Sequence, residues 1–197
     1  MEPLLLGTKY DRIAKWWNEQ HFDSSYGVNQ FKRAIEFAPN GGKALDIGCG
    51  SGGRFIRILE KNNFSVTGLD VSAEMIKLAI FNHPNFNFLH QDISTWETEE
   101  KFGFIVAWDS IFHLPYSMQK PVVSKLCTML ESNGILIYTL GNAKGEQIDQ
   151  WHNDNFYYSS IGITKNIEIL LNNGMTILHL ELDQKGEKHV YIIATKV

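Results

Sequence analysis

Ten residues, Ala44-Leu45-Asp46-Ile47-Gly48-Cys49-Gly50-Ser51-Gly52-Gly53, constrain the fold more than any other segment. A short apolar run leads into clustered glycines, and beyond them Phe55, Ile56, Ile58 and Leu59 form an apolar stripe at helical spacing. Glycine lets a chain turn sharply from strand to helix and lets a ligand approach the main chain closely. The alternation then repeats. Phe64 to Asp70 reads as a second strand, and Ser72 caps a helix carrying Met75, Ile76, Ala79 and Ile80, with Glu74 in its first turn. Asn82-His83-Pro84-Asn85 breaks that helix. Phe86 to Leu89 is a third strand, and Phe102 to Trp108 a fourth, apolar on both faces as a central strand is. Val122, Leu126, Met129 and Leu130 mark a returning helix, and Ile135 to Leu140 a fifth strand. Such alternation predicts an α/β fold with a parallel sheet.

The flanks have a different rhythm. Residues 1–40 read as mostly helical, with Ile13, Trp16 and Trp17 on one side of a helix opening near Asp11. Residues 141–163 show no clean period and predict a long loop or insertion. Thr164 to Asn172 is a short helix, and Met175 to Leu182 and His189 to Lys196 are two strands joined as a hairpin across Asp183-Gln184-Lys185-Gly186.

A chain of 197 residues with 44% hydrophobic residues buries a core without staples, and is read as one domain over 1–197. Its two cysteines, Cys49 and Cys127, lie in no CxxC and match no zinc spacing, which suggests a reducing, cytoplasmic setting. The start lacks the positive region of a secretory signal, and no apolar run reaches the length of a membrane span, so no membrane association is expected. Net charge is −4, with Lys and Arg scattered singly, which disfavours a nucleic-acid substrate.

Gly48, Gly50 and Gly53 satisfy G-x-G-x-x-G, so an NAD(P)-dependent oxidoreductase is a rival reading. Three carboxylates argue against it. Asp46 lies two residues before the first glycine, where it would repel a pyrophosphate and welcome a cation. Asp70 ends the second strand, placed to accept hydrogen bonds from ribose hydroxyls. Asp92 follows the third strand, where an acid can take the exocyclic amine of adenine while Ile93 packs on the ring. Together they describe a pocket for an adenosine bearing a positive group, which is S-adenosylmethionine (SAM).

On these motifs, with FGFIVAWDSIFHL as the fourth strand and LESNGILIYTL as the fifth, the chain resembles the class I SAM-dependent methyltransferases. Within them it is similar to the small bacterial ubiquinone/menaquinone-biosynthesis-like group that acts on small molecules. The resemblance implies a Rossmann-like, doubly wound seven-stranded sheet, mostly parallel with one antiparallel C-terminal strand. It implies SAM contacts from Tyr10, Trp16, Asp46, Gly48, Cys49, Gly50, Gly52, Asp70, Val71, Met75, Gln91, Asp92, Ile93 and Trp108. Residues 1–40 become a helical lid, 41–140 the SAM-binding core, 141–163 an acceptor-side insertion, and 164–197 a closing helix and strand pair.

The expected reaction moves a methyl group to an oxygen or nitrogen of a small-molecule acceptor, by a monomer or homodimer. His113 is the candidate general base, and Asp109 the candidate that holds the acceptor. Trp151, His152, Phe156, Tyr157 and Tyr158 are candidates for the acceptor pocket, weighed against simple anchoring of a long loop. No metal is expected, because Gly141 stands where a third oxygen ligand would be needed beside Asp109 and Asn142. A non-catalytic SAM-binding module is the other alternative.

Overall fold

The computed structural model describes residues 1–182 and 188–197. In chain order the elements are α1 (Pro3–His21), α2 (Val28–Ile35), β1 (Gly42–Ile47), α3 (Arg54–Lys61), β2 (Phe64–Asp70), α4 (Ala73–Asn82), β3 (Asn87–His90) and β4 (Phe102–Ala107). A short 3₁₀ turn (Ile111–His113) follows, then α5 (Tyr116–Met129), β5 (Leu130–Gly141), β6 (Lys144–Trp151), β7 (Asp154–Ile161), α6 (Gly162–Asn172), β8 (Met175–Leu182) and β9 (His189–Lys196).

Seven strands form one sheet in the order β3-β2-β1-β4-β5-β9-β8. All run parallel except β9, which is antiparallel to both β5 and β8. Strand order reverses between β1 and β4, so the carboxyl ends of these two strands open a crevice. The period-two alternation of β1 puts Leu45 and Ile47 with Ile105 and Val122 on one face, and Ala44 with Phe104, Phe31 and Ile56 on the other. Asp46 shares the parity of Ala44 and so faces the side on which α3 begins. Phe102 to Ala107 is buried throughout, as its place in mid-sheet requires. No described helix is long and apolar enough to cross a membrane.

Three expectations change. The first helix opens at Pro3, not near Asp11, because proline suits the first helical position, where no N–H is needed. Asp11 instead serves another helix: its Oδ1 accepts from Ser72 Oγ at 2.6 Å and from the Glu74 N–H at 3.0 Å, at the start of α4. Ser72 is the N-cap of α4 as expected, accepting from Met75 N–H. Residues 141–163 are not a loop. They contain the two-stranded sheet β6-β7, closed by His152 and Asn153 at φ 48° and 59°, the signs that a two-residue hairpin turn demands. Nearly all of β6 is solvent-exposed and polar, which erases the alternation that marks a half-buried strand. Lastly, β5 begins earlier, at Leu130, with Asn133 in the left-handed region and an irregular register against β4. The proposed hairpin turn at Asp183 to Gly186 lies outside the described residues, although β8 and β9 are antiparallel neighbours.

Candidate active site

The glycine turn is tied to β2. Both Gly48 N–H and Cys49 N–H donate to the Leu69 carbonyl, at 2.8 and 3.0 Å. Gly48 sits at φ 70°, and a Cβ there would come within 2.3 Å of Ser110 Cβ, so the turn and the segment after β4 close on each other only because residue 48 has no side chain. Asp70 ends β2 and organises the neighbouring backbone: Oδ2 accepts from Gly50 N–H and Oδ1 from Ser72 N–H, each at 2.8 Å. Burial pushes its carboxyl up to about 6, although those two donors pull the other way.

Asp46 is 5% exposed and takes no hydrogen bond among the described residues. Burial, with the nearby charge of Asp70, pushes it to about 7. A buried acid and a half-buried one, both with raised pKa values, and a wall of glycine amides form a site that gains from a cation or from hydroxyl donors. Ser110 Oγ and Trp108 Nε1 are also buried without a partner among the described residues, and both residues line this cleft.

The cleft encloses about 920 Å³ including its mouth, which is ample for a nucleoside-sized ligand. Asp46, Gly48, Cys49, Gly50, Gly52, Asp70, Val71, Met75, Trp108, Asp109, Tyr10 and His113 all lie on its wall. A second lobe of about 430 Å³ continues from it and holds Gln91, Asp92 and Ile93, with Leu6, Gly48, Asp70, Val71, Ser110 and His113 common to both. Asp92 uses its carboxylate locally, accepting from Ser94 N–H at 2.8 Å and Ser94 Oγ at 2.7 Å.

Trp16 does not reach the cleft. It is 37% exposed and packs on Trp151 and His152 of the hairpin, whereas Trp17, one helical step round, lines the cleft with Leu6 and His21. Leu6, Tyr10, Trp17 and His21 share one stripe of α1, a spacing that exists only because the helix opens at Pro3. Arg54 was also missed. It lines the cleft at the start of α3, donates from Nε to the Tyr26 carbonyl at 2.6 Å, and feels the charges of Asp109 and Asp46.

His113 is 7% exposed, and both ring nitrogens are engaged. Nδ1–H donates to the Tyr157 carbonyl at 2.8 Å, which leaves Nε2 to accept from the Tyr10 hydroxyl at 2.9 Å. Burial lowers His113 to about 4 and raises Tyr10, so at neutral pH both are uncharged. Phe156 packs on Tyr10 and Trp151, and the Tyr157 hydroxyl donates to Glu146 and accepts from Tyr116 N–H. Trp151, His152, Phe156 and Tyr157 therefore anchor the hairpin on α1 and on the start of α5. Tyr158 instead lies against His113 and lines a third cavity, between the hairpin and the end of β5. Lys9 and Arg12 of α1 both pair with Asp154 of the hairpin, at 2.5 and 2.6 Å.

A family model described as a methyltransferase domain matches residues 20–166. The phosphoethanolamine N-methyltransferase of Plasmodium falciparum is 30% identical over 127 residues, covering 61% of this chain and 47% of that protein. The trans-aconitate 2-methyltransferase of Agrobacterium fabrum is 32% identical over 93 residues, covering 46% and 35% respectively. The chain thus spans about a third to a half of the length of the curated relatives it matches. Among solved structures, the N-methyltransferase NodS from Bradyrhizobium japonicum, in complex with S-adenosyl-L-homocysteine (SAH), superposes with a TM-score of 0.72 at 16% identity, covering 99% of each chain.

Proposed function

Because the chain belongs to the methyltransferase domain family, we propose that its cleft binds SAM and that the protein transfers the methyl group to an oxygen or nitrogen of a small molecule. The observation that carries this reading is the pairing of Asp46 and Asp70 with the glycine turn. Asp70, fixed by two backbone N–H groups, retains lone pairs for ribose hydroxyls, and Asp46 supplies a negative charge where the ligand is cationic. The same acids disfavour a pyrophosphate, and with it the oxidoreductase alternative. Gln91, Asp92 and Ile93 in the second lobe are suited to an adenine ring.

SAM supplies a methyl group already activated on sulfonium sulfur. The protein then has to orient a nucleophile and exclude water. Tyr10, Trp17 and Leu6 of α1 roof the cleft, and the hairpin is latched to α1 through Asp154, so residues 1–40 act as a lid and 141–163 as the acceptor side. Asp109 holds the acceptor. His113 is the base: an acceptor's proton reaches its Nε2 through the Tyr10 hydroxyl, while the Tyr157 carbonyl keeps Nδ1–H in place. We place the enzyme in the cytoplasm, with a small, partly apolar acceptor in keeping with the aromatic lid.

The test is transfer of label from methyl-labelled SAM into a metabolite extract by the purified protein. Labelled small-molecule product is expected. Tight SAH binding with no transfer to any extract favours a non-catalytic SAM-binding module, since a shared fold does not fix a reaction.

A further inference from the structure

Asp109 and His189 meet although 80 residues separate them. Asp109 follows β4, and His189 opens β9, which pairing with β5 brings alongside through Gly141. His189 Nε2–H donates to Asp109 Oδ1 at 2.7 Å, and the Tyr26 hydroxyl lies 3.5 Å from the same nitrogen. The Asp109 backbone is held in the left-handed region at φ 52°, with its N–H bonded to the fully buried Thr139 hydroxyl at 2.8 Å. Backbone and side chain are thus fixed independently. Asp109 Oδ2 has no partner among the described residues, and the residue lies on the cleft wall.

Asp109 is also central electrostatically. Its charge acts on Tyr10 and His21 of α1, Arg54 of α3 and His113, which line the cleft, and on Tyr158 of β7 in the third cavity. His189 lines the third cavity with Lys144 and Tyr158, so the pair stands between that cavity and the cleft.

We propose that His189 is a positioning residue of the methyl-transfer site: its Nε2–H holds the Asp109 carboxylate so that Oδ2 accepts a hydrogen bond from the N–H or O–H of the acceptor's nucleophile. The proposal rests on the cofactor reading above. A carboxylate that meets the acceptor has to stop rotating, and the N–H of a histidine ring packed among Tyr26, Trp108 and Phe112 holds it. His113 cannot share this task, because both of its nitrogens are already bonded.

Two cofactor analogues serve as probes of the whole protein, with no need to know the acceptor. SAH carries a neutral sulfur, whereas sinefungin carries an ammonium in place of the transferable methyl. A fixed Asp109 carboxylate gives sinefungin an advantage over SAH in calorimetric titrations. His189→Phe keeps the ring but loses the donor, and should bind SAH as the wild type does while losing roughly tenfold of the sinefungin advantage, the scale of one hydrogen bond to a charged group. His189→Gln, whose amide places a donor close to the Nε2 position, should recover most of it. Asp109→Asn, which leaves the His189 side unaltered, should lose it as well. Equal behaviour of the Phe and Gln variants, or an advantage unchanged in the Phe and Asn variants, overturns the proposal and leaves the cofactor reading standing. Failure of the wild type to bind SAH overturns both.

Discussion

Replacing Asp46 by Asn separates what the cleft needs from what the fold needs. In the folded protein burial pushes the Asp46 carboxyl to about 7, with no hydrogen bond from the described residues to offset it. In the unfolded chain the same group titrates near ~4. Between those values the folded chain holds a proton that the unfolded chain has lost, so stability falls as pH rises from ~4 to ~7. The gap corresponds to at most ~4 kcal/mol at pH 8, and water entering the cleft reduces that to an expected ~1 to 3 kcal/mol. Asp70, pushed to about 6, acts in the same direction and remains in the variant. Asparagine cannot ionise. Asp46→Asn should therefore unfold at higher urea than the wild type at pH 8, should match it near pH 3, below the unfolded carboxyl's ~4, and should show a flatter stability profile between them. The same variant should lose affinity for cationic SAM at pH 8. Urea unfolding at both pH values, with unchanged denaturant slope, checks the first claim. A variant less stable than the wild type at pH 8, or an unaltered pH profile, would refute the reasoning that Asp46 is held ready for a cation at a cost to the fold.

His113 should behave in the opposite sense. Its neutral form is held by burial down to about 4, against ~6.5 in the unfolded chain, so its contribution is fully present above ~6.5 and is lost as pH falls towards ~4. Urea unfolding of His113→Gln should be less sensitive to acid in that window, and with an acceptor in hand His113→Ala should bind SAH nearly as the wild type but turn over roughly 10²- to 10⁴-fold more slowly. Asp154→Ala removes the shared partner of Lys9 and Arg12, and the Lys9 side chain is only 12% exposed. Amide hydrogen exchange across 144–161 should accelerate while that of β1 and β4 stays constant; unchanged exchange in the hairpin would mean that the aromatic contacts alone hold it.

Much of this molecule is legible locally. The ends of β2, β8 and β9 follow from apolar runs bounded by polar residues, and the cap at Ser72 follows from its side-chain chemistry. The acids at 46 and 70 stand out because they occur at strand ends beside glycines. What failed to show has specific causes. Residues of β6 pair only with β7 and face solvent, so no burial pattern is imposed on them. Trp16 and Trp17 are adjacent, and which of them faces the cleft depends on the phase of a helix that opens at Pro3, eight residues before the Asp11 that the local signals suggest. The His189 contact with Asp109 depends on β9 running antiparallel beside β5, a tertiary relation that no local signal carries. Arg54 carries no local sign of its place, because only the fold brings the charges of Asp109 and Asp46 to the start of α3.

Calorimetric titration of the purified protein with SAH, and separately with NADH, tests the central claim most directly. Saturable binding of SAH at one site per chain, weakened sharply in Asp70→Ala, with no heat of binding from NADH, is the expected result. Binding of NADH with none of SAH would contradict the account, because it would mean that Asp46 and Asp70 tolerate a pyrophosphate and that the glycine turn serves a different cofactor.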